Sequence, residues 1–201
     1  MDFSNDIVLE DSNVLLRKYH PFDVPKLQEI VYDTDTWKFM VTQISTPHEF
    51  KVWQQTVEHG FNTGTRYTFI ILDKASGKIA GSTSYGNISD TDKRLEIGWT
   101  WLSKEFRGSG LNRHCKFLLL RYAFEELDYE RVELKTDTQN LRSRKAMLKL
   151  GATEEGILRS HTLMHDGRRR DTTYYSILKS EWEHIKHTVF SDLVKQHTFL
   201  N

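Results

Sequence analysis

The sequence predicts an α+β protein with a single mixed, mostly antiparallel central sheet flanked by helices. The predicted order of elements is a strand, two helices, three antiparallel strands, a helix, a strand, a helix and a closing hairpin. This order differs from the strict strand–helix alternation of a doubly wound parallel sheet. No repeat, low-complexity tract or Pro/Gly/Ser-rich linker interrupts it, so a single domain over residues 1–201 is expected.

Elements of the first half have distinct boundaries. A predicted strand over residues 14–19 is followed by helical spacing of apolar residues over 22–32. The second helix begins with a capping box, in which Thr46 caps, Pro47 takes the first helical position and Glu49 closes the box. Three strands with intervening turns are then predicted at residues 66–72, 78–88 and 94–102.

Elements of the second half are bounded by glycines and capping residues. A helix, a buried strand and another helix are predicted at residues 111–127, 131–136 and 141–150. Gly151 stops the last of these, and Asp166-Gly167 is a hairpin turn signal between two further strands. Ser180 and Glu183 have the spacing of a second capping box, which predicts a C-terminal helix from that point.

Composition excludes several classes of protein. Lys and Arg number 28, as do Asp and Glu, so no net charge attracts nucleic acid or an anionic membrane. The longest apolar runs are far too short to span a bilayer. The N-terminus lacks an apolar signal segment and Cys115 is the single cysteine, and both features favour the cytoplasm. Cys115 itself is expected in the core.

A glycine-bearing loop joins the strand ending at Leu102 to the next helix. Its sequence over residues 107–112 is Arg-Gly-Ser-Gly-Leu-Asn, and Arg107, Arg113 and Lys116 add positive charge nearby. Glycines let the backbone approach a phosphate, and the free N–H groups of a helix start point toward it. The loop lacks both the Gly-Lys-Ser/Thr of a P-loop and the third glycine of a dinucleotide fingerprint. Alone, the pattern fits an anion site or a tight turn.

Two motifs together resemble the acetyl-CoA-binding signatures of GNAT acetyltransferases. The first is Arg107-x-x-Gly110 after the strand, and the second is Asn140-x-x-Ser143 followed by Lys-Leu-Gly at residues 149–151. Asn112 departs from the small residue usual at the end of the first motif. The late hairpin at residues 166–171 resembles the RimL-like branch, whose better-known members acetylate the N-termini of ribosomal proteins. The resemblance spans roughly residues 14–182 and implies the GNAT fold.

The resemblance also implies a set of cofactor contacts. The pyrophosphate of acetyl-CoA would be bound by the backbone N–H groups of Arg107, Gly108, Ser109, Gly110, Leu111 and Asn112. Trp101 and Leu102 would pair with the pantetheine arm and hold the thioester carbonyl. Asn140 would hydrogen-bond the pantetheine, and Ser143 would protonate the departing thiolate.

Acetyl transfer to an amine also needs a base, because an ammonium group is not a nucleophile. Glu96 is the first candidate, since it lies on the strand leading to the glycine loop. An ordinary strand carboxylate, either exposed or ion-paired, is an equal alternative for this residue.

The histidines and the arginine run are expected to have structural rather than functional roles. His161 and His165 would stand too far apart on a strand to share an ion, and His184 and His187 could meet on a helix but lack a third ligand, so no metal site is expected. The arginine run at residues 168–170 is expected to be a solvent-facing flank of the hairpin rather than a site for an acidic substrate or RNA.

The leading functional hypothesis is an N-acetyltransferase that moves acetyl from acetyl-CoA to a protein N-terminus or a small amine. The alternative is a non-catalytic sensor or regulatory module that binds CoA or an acyl-CoA. An RNA-binding role is disfavoured by the neutral charge and by the lack of an RNA-binding motif. The sequence leaves the acceptor and the oligomeric state open, a homodimer included.

Overall fold

The computed structural model describes residues 1–198, which form one eight-stranded sheet with helices. The strands are β1 Val8–Glu10, β2 Val14–Lys18, β3 Arg66–Asp73, β4 Ile79–Ser89, β5 Arg94–Leu102, β6 Arg131–Asp137, β7 Thr153–Leu163 and β8 Arg169–Leu178. The helices are α1 Val24–Gln28, α2 Pro47–Asn62, α3 Leu111–Arg121, α4 Leu141–Lys149, α5 Lys179–Thr188 and α6 Ser191–Thr198. In residues 1–198 no helix is both long and apolar enough to cross a membrane.

The strand order is β1-β2-β3-β4-β5-β6-β8-β7, and only the β5–β6 pair is parallel. That pair is joined by α3, as a parallel connection requires. The predicted fold class, α+β with a mixed and mostly antiparallel sheet, is confirmed.

Side chains alternate across the sheet into two hydrophobic cores. On β3, Phe69 and Ile71 belong to the core that includes α3 and α5, whereas Ile70 packs in the core beneath α1 and α2. The first core contains Phe117 of α3, and the second contains Trp53 of α2. This period-two alternation is the pattern of a sheet covered on both faces.

Several predicted boundaries match the structure. Thr46 Oγ1 accepts the Glu49 N–H at 3.2 Å, and the Glu49 carboxylate accepts the Thr46 N–H at 3.0 Å, so the capping box at α2 is present. Strand β5 has the predicted bounds, and Gly167 has a φ of 82° in the β7–β8 turn.

Other boundaries were predicted wrongly. Helix α1 is only five residues long, and the predicted helix at 111–127 changes at Tyr122 into a π-helical turn. The second capping box is wrong, because Ser180 lies inside α5, which starts one residue earlier. There Glu181, not Glu183, accepts a hydrogen bond from the backbone N–H of Leu178, at 2.9 Å.

The two parallel strands separate soon after they begin. Pairing between β5 and β6 covers only Arg94–Glu96 and the partners Arg131, Val132 and Glu133. Beyond these pairs, β5 is bonded to β4 and β6 to β8, up to Leu102 and Asp137. We call the gap between residues 97–102 of β5 and 134–136 of β6 the fork.

Candidate active site

A cleft of about 600 Å³ opens at the fork. Its walls include residues 97–102 of β5 and 134–136 of β6, together with the first turns of α3 and α4. The segment 35–42 and residues of the β7–β8 hairpin complete its rim. Both resemblance motifs therefore meet at one cavity.

The glycine loop forms one end of this cleft. Gly108 and Gly110 have φ values of 81° and 90°, a backbone conformation that side chains with a Cβ rarely adopt. No atom lies within 4 Å of the position a Cβ would take at either glycine. Within residues 1–198 the N–H groups of Gly108, Gly110 and Asn112 have no hydrogen-bond acceptor. The loop thus presents free donors to open space.

The basic side chains near the loop are largely neutralised. Arg107 Nη2 lies 2.7 Å from the Asp33 carboxylate and also contacts Thr36, while its Nε donates to the Leu102 carbonyl. Arg113 pairs with Asp192 at 2.5 Å. These ion pairs hold the loop and α6 in place and neutralise two of the three cations expected near the loop, Arg107 and Arg113.

Two residues that line the cleft carry buried side-chain polar atoms that lack a partner within residues 1–198. These atoms are Trp101 Nε1 and Asn112 Oδ1. Buried polar atoms are nearly always satisfied in folded proteins, by protein, water or ligand. Together with the free loop N–H groups, they fit a ligand that carries phosphates and amides, as acetyl-CoA does.

The second motif begins α4 on the opposite wall. Asn140 caps the helix, since its Oδ1 accepts the Ser143 N–H at 3.1 Å. Ser143 is half-buried and lines the cleft, and its hydroxyl makes no hydrogen bond in the part of the chain described. The structure therefore brings Asn140 and Ser143 to the same cavity as the glycine loop.

A β-bulge in β5 lies between these two ends. Ser82 and Ser84 of β4 pair with Trp101 and Gly98, so Trp99 and Thr100 together face one residue. Trp99 has a φ of 51°, which marks the distortion. A bulge leaves its extra residue unpaired and turns backbone groups out of the ladder. A glycine within a strand was the available sequence signal for it.

Lys116 of α3 contacts the bulge. The sequence indicated only that this lysine adds positive charge near the glycine loop. Its side chain is 6% exposed, and its ammonium group donates to Thr100 Oγ1 at 2.8 Å. Burial lowers the pKa of the Lys116 ammonium to about 8. The sequence signal was a lysine among the apolar residues of the buried face of α3.

Glu96 lies where β5 and β6 part and lines the cleft. It is only 3% exposed, and its Oε2 lies 2.7 Å from Lys135 Nζ and 2.6 Å from Asn87 Nδ2. A Cβ on Gly98 would come within 2.7 Å of Glu96 Oε1, so glycine leaves room for this carboxylate. Glu96 is therefore not an exposed strand carboxylate. It is a buried carboxylate that is ion-paired with Lys135.

The expectation for the arginine run holds only for Arg169, which is exposed. Arg168 pairs with the buried carboxylate of Asp137 at 2.5 Å. Arg170 is 8% exposed and lines the cleft beside His161. The interpretation as a solvent-facing flank is therefore wrong for two of the three residues, because strand alternation turns Arg170 away from the exposed side of Arg169.

Cys115 lies in the core, as expected, and has no exposed surface. Burial raises the pKa of its thiol to about 12, so the thiolate a nucleophile requires is disfavoured. In residues 1–198 no group of three or more His, Cys, Asp or Glu side chains has an arrangement that could hold a metal ion.

Comparison with known proteins identifies the family. The model of the acetyltransferase (GNAT) domain matches residues 13–153. YdaF of Bacillus subtilis, whose name assigns it provisionally to ribosomal N-acetylation, is 29% identical over 184 residues, which cover 86% of this chain and 95% of YdaF.

Solved structures agree. A provisionally named acetyltransferase of T. thermophilus is 32% identical with a TM-score of 0.83, over 92% of this chain and 96% of that one. A GCN5-related N-acetyltransferase of Brucella melitensis is 26% identical with a TM-score of 0.83, over 93% of this chain and 85% of that one. GNAT acetyltransferases use acetyl-CoA as donor. The resemblance read from the two motifs is confirmed, and the chain belongs to the GNAT family of acetyltransferases.

Proposed function

We propose that this acetyltransferase moves the acetyl group of acetyl-CoA to the α-amino group of a polypeptide. The observation that carries the proposal is the fork, which places the free N–H groups of the glycine loop and the buried carboxylate of Glu96 in one cleft. A donor thioester and an acceptor amine can therefore meet between β5 and β6.

The donor end uses the glycine loop and α4. The N–H groups of Gly108, Gly110 and Asn112 would bind the pyrophosphate, because a helix start with free donors attracts anions. Trp101, Leu102 and Asn140 would contact the pantetheine arm, which fills the fork as an additional strand would. The unpartnered Trp101 Nε1 supports this placement.

The middle of the cleft supplies the groups that act on the thioester. Backbone N–H groups at the β5 bulge would polarise its carbonyl, as in other oxyanion sites. Lys116 holds the Thr100 hydroxyl at this bulge. Ser143, whose hydroxyl makes no hydrogen bond within residues 1–198, would donate a proton to the departing thiolate.

The acceptor end lies at Glu96. Its carboxylate would take the proton of the incoming ammonium group, directly or through one water. Lys135 and Asn87 both bind Oε2, so Oε1 is the oxygen left to accept that proton. A neutral amine is thereby generated beside the thioester.

Two features favour a polypeptide acceptor over a small amine. The acceptor rim is formed by exposed residues on opposite sides, Asp35 before α2 and His161 on β7, which leaves an open groove. In addition, the name of YdaF refers to ribosomal N-acetylation. The carboxylates among the described lining residues are Asp35, which is exposed, and Glu96, which is paired with Lys135, and they do not form the enclosed acidic pocket that a polyamine would need.

The direct test is mass spectrometry of a cell extract incubated with the enzyme and isotope-labelled acetyl-CoA, in which both the digested proteins and the small-molecule fraction are analysed. Labelled α-amino groups on a small set of protein N-termini are expected. Label only on small amines would contradict the polypeptide acceptor. Tight acetyl-CoA binding with no labelled product and no CoA release on any amine would instead favour the non-catalytic sensor. A variant with Ser143→Ala serves as the low-turnover control.

A further inference from the structure

Arg170 is a buried cation for which the described chain provides no ion pair. Its side chain is 8% exposed, and its Nε donates to Thr172 Oγ1 at 3.0 Å. No carboxylate of residues 1–198 lies within 4.0 Å of its guanidinium nitrogens. Burial lowers the pKa of this guanidinium, so its charge is held at a cost in free energy. A buried guanidinium without an ion pair would be stabilised by binding an anion.

The charges around Arg170 do not supply that anion. Two carboxylates act on it, Asp137 and Glu96. Asp137 is already bonded to Arg168 at 2.5 Å, and Glu96 to Lys135 at 2.7 Å. Both carboxylates are therefore already in ion pairs with other cations, and Arg170 has none within residues 1–198.

Strand register places Arg170 on the same face of the sheet as Glu96. Glu96 pairs with Glu133 of β6, and Lys135, two residues on, pairs with Tyr174 of β8. Arg170 lies four residues before Tyr174, so all these side chains project to one side. Strand β6 separates Arg170 from the strand that leads to the glycine loop, where the donor's phosphates are proposed to bind.

Thr172 fixes the direction of the cation. Its Oγ1 lies 3.0 Å from Arg170 Nε and 3.1 Å from His161 Nδ1. Because Nε is used internally, the two terminal nitrogens of the guanidinium remain for the cleft. Their planar fork matches a carboxylate or phosphate in bidentate geometry.

We propose that Arg170 binds an anionic group of the acceptor, a carboxylate or a phosphate close to the amine that is acetylated. This inference rests on the proposed function and narrows it. The enzyme would select N-termini that carry an acidic or phosphorylated residue at the second or third position, and would discriminate against neutral ones. Asp137 and Arg168 position the hairpin but do not touch the acceptor.

The test measures binding of matched ligands to the CoA-loaded protein, and acetylation of the same ligands. Three peptide amides with a free N-terminus share one sequence apart from Asp, Asn or phosphoserine at position two. A fourth peptide has its only Asp at position six. The variants are Arg170→Gln, Arg170→Lys and, as the matched control on the same strand, Arg169→Gln.

The wild type is expected to bind and acetylate the Asp or phosphoserine peptide at least about tenfold better than the Asn peptide. Whichever of the two binds more tightly identifies the anion. Arg170→Gln should remove this preference while leaving acetyl-CoA affinity unchanged, and Arg169→Gln should keep it. Arg170→Lys should retain part of it, which guards against misfolding of the glutamine variant.

Equal binding of the acidic and neutral peptides by the wild type would overturn the inference, as would a preference that survives in Arg170→Gln. If Arg170→Gln lost affinity for acetyl-CoA but kept the peptide preference, Arg170 would be a residue that binds the donor. That result would also overturn the inference. Selective binding of acidic peptides without any acetylation would support the anion site and contradict the proposed function, so the two failures are distinguishable.

Discussion

At the scale of single residues, the cleft concentrates ionisable groups that are buried. Glu96 is compensated by Lys135, Lys116 has a hydroxyl as its nearest hydrogen-bond partner, and Arg170 has no ion pair within residues 1–198. Buried ionisable groups of this kind cluster at functional sites, because substrates complete their environment. Each therefore has its own expected response to substitution.

Glu96→Gln is expected to lower acetylation at neutral pH by about a hundredfold, the usual effect of removing a general base. Raising the pH should restore much of the rate, since an α-amino acceptor with a pKa of about 8 then loses its proton unaided. Initial rates between pH 6 and pH 10 measure this. The control is Glu133→Gln, a neighbouring carboxylate in the same cross-strand row that is bonded to Arg131. A pH-independent deficit would assign Glu96 a structural role.

Lys116→Met is expected to stabilise the free protein at pH 7. Lowering the ammonium pKa from 10.5 to about 8 costs about 3 kcal/mol, against about 1 kcal/mol for the lost bond to Thr100. The net gain in the free energy of unfolding is therefore about 2 kcal/mol. Because the unfolded chain binds more protons between pH 8 and pH 10.5, wild-type stability rises with pH across that window.

Urea unfolding of the wild type and Lys116→Met at pH 7 and pH 10 measures this difference. The gap should narrow at pH 10. Lys149→Met, on an exposed part of α4, should leave stability unchanged at both values. A Lys116→Met protein less stable than the wild type at pH 7 would show that the amine contributes more through its contacts than burial removes.

At the scale of elements, the glycine loop sets the donor affinity. Gly110→Ala places a Cβ in the space proposed for the pyrophosphate, at a φ of 90°, so the Kd for acetyl-CoA should rise at least about tenfold. Gly77→Ala is the matched control, because Gly77 has a φ of 68° and equally open surroundings in the β3–β4 turn. Calorimetry should find similar losses of stability in the two variants but reduced affinity only in the first. Equal affinities would contradict the loop assignment.

Elements with local signals were predicted well from the sequence. The capping box at Thr46 and the glycine loop each depend on a few adjacent residues. Helix α1 was overextended because apolar spacing persists after Gln28, while the chain there turns irregular. The bulge at Trp99 depends on the register with β4, which a single strand does not encode.

The arginine run illustrates the limit of local reading. Its charge density suggested a solvated flank, yet Arg168 is paired with Asp137 on β6, and Arg170 is buried at the cleft with Thr172 of its own strand as hydrogen-bond partner. The partner of Arg168 and the burial of Arg170 both depend on segments distant in sequence and become visible only in the assembled sheet. The same holds for Glu96, whose pairing with Lys135 spans the fork.

At the scale of the whole molecule, one topological step produces the site. The connection through α3 makes β5 and β6 parallel neighbours, and the glycine loop lies where β5 ends. The strand–helix–strand order was visible in the sequence and implied a parallel pair. The early divergence of β5 from β6 was not visible in the sequence, because it depends on how β6 pairs with β8 and how α4 packs beside β6.

The fork also has a mechanical consequence. Three residue pairs join the halves of the sheet across β5 and β6, whereas seven join β3 to β4 and seven join β6 to β8. Under tension across the strands, this seam should part before the β3–β4 and β6–β8 pairings, while the edge pairing of β1 with β2 is equally short, with three residue pairs. A cofactor bound between the two strands would brace the halves of the sheet against each other. Binding of the donor would therefore stiffen the protein along the β5–β6 seam, and its release would loosen the same seam.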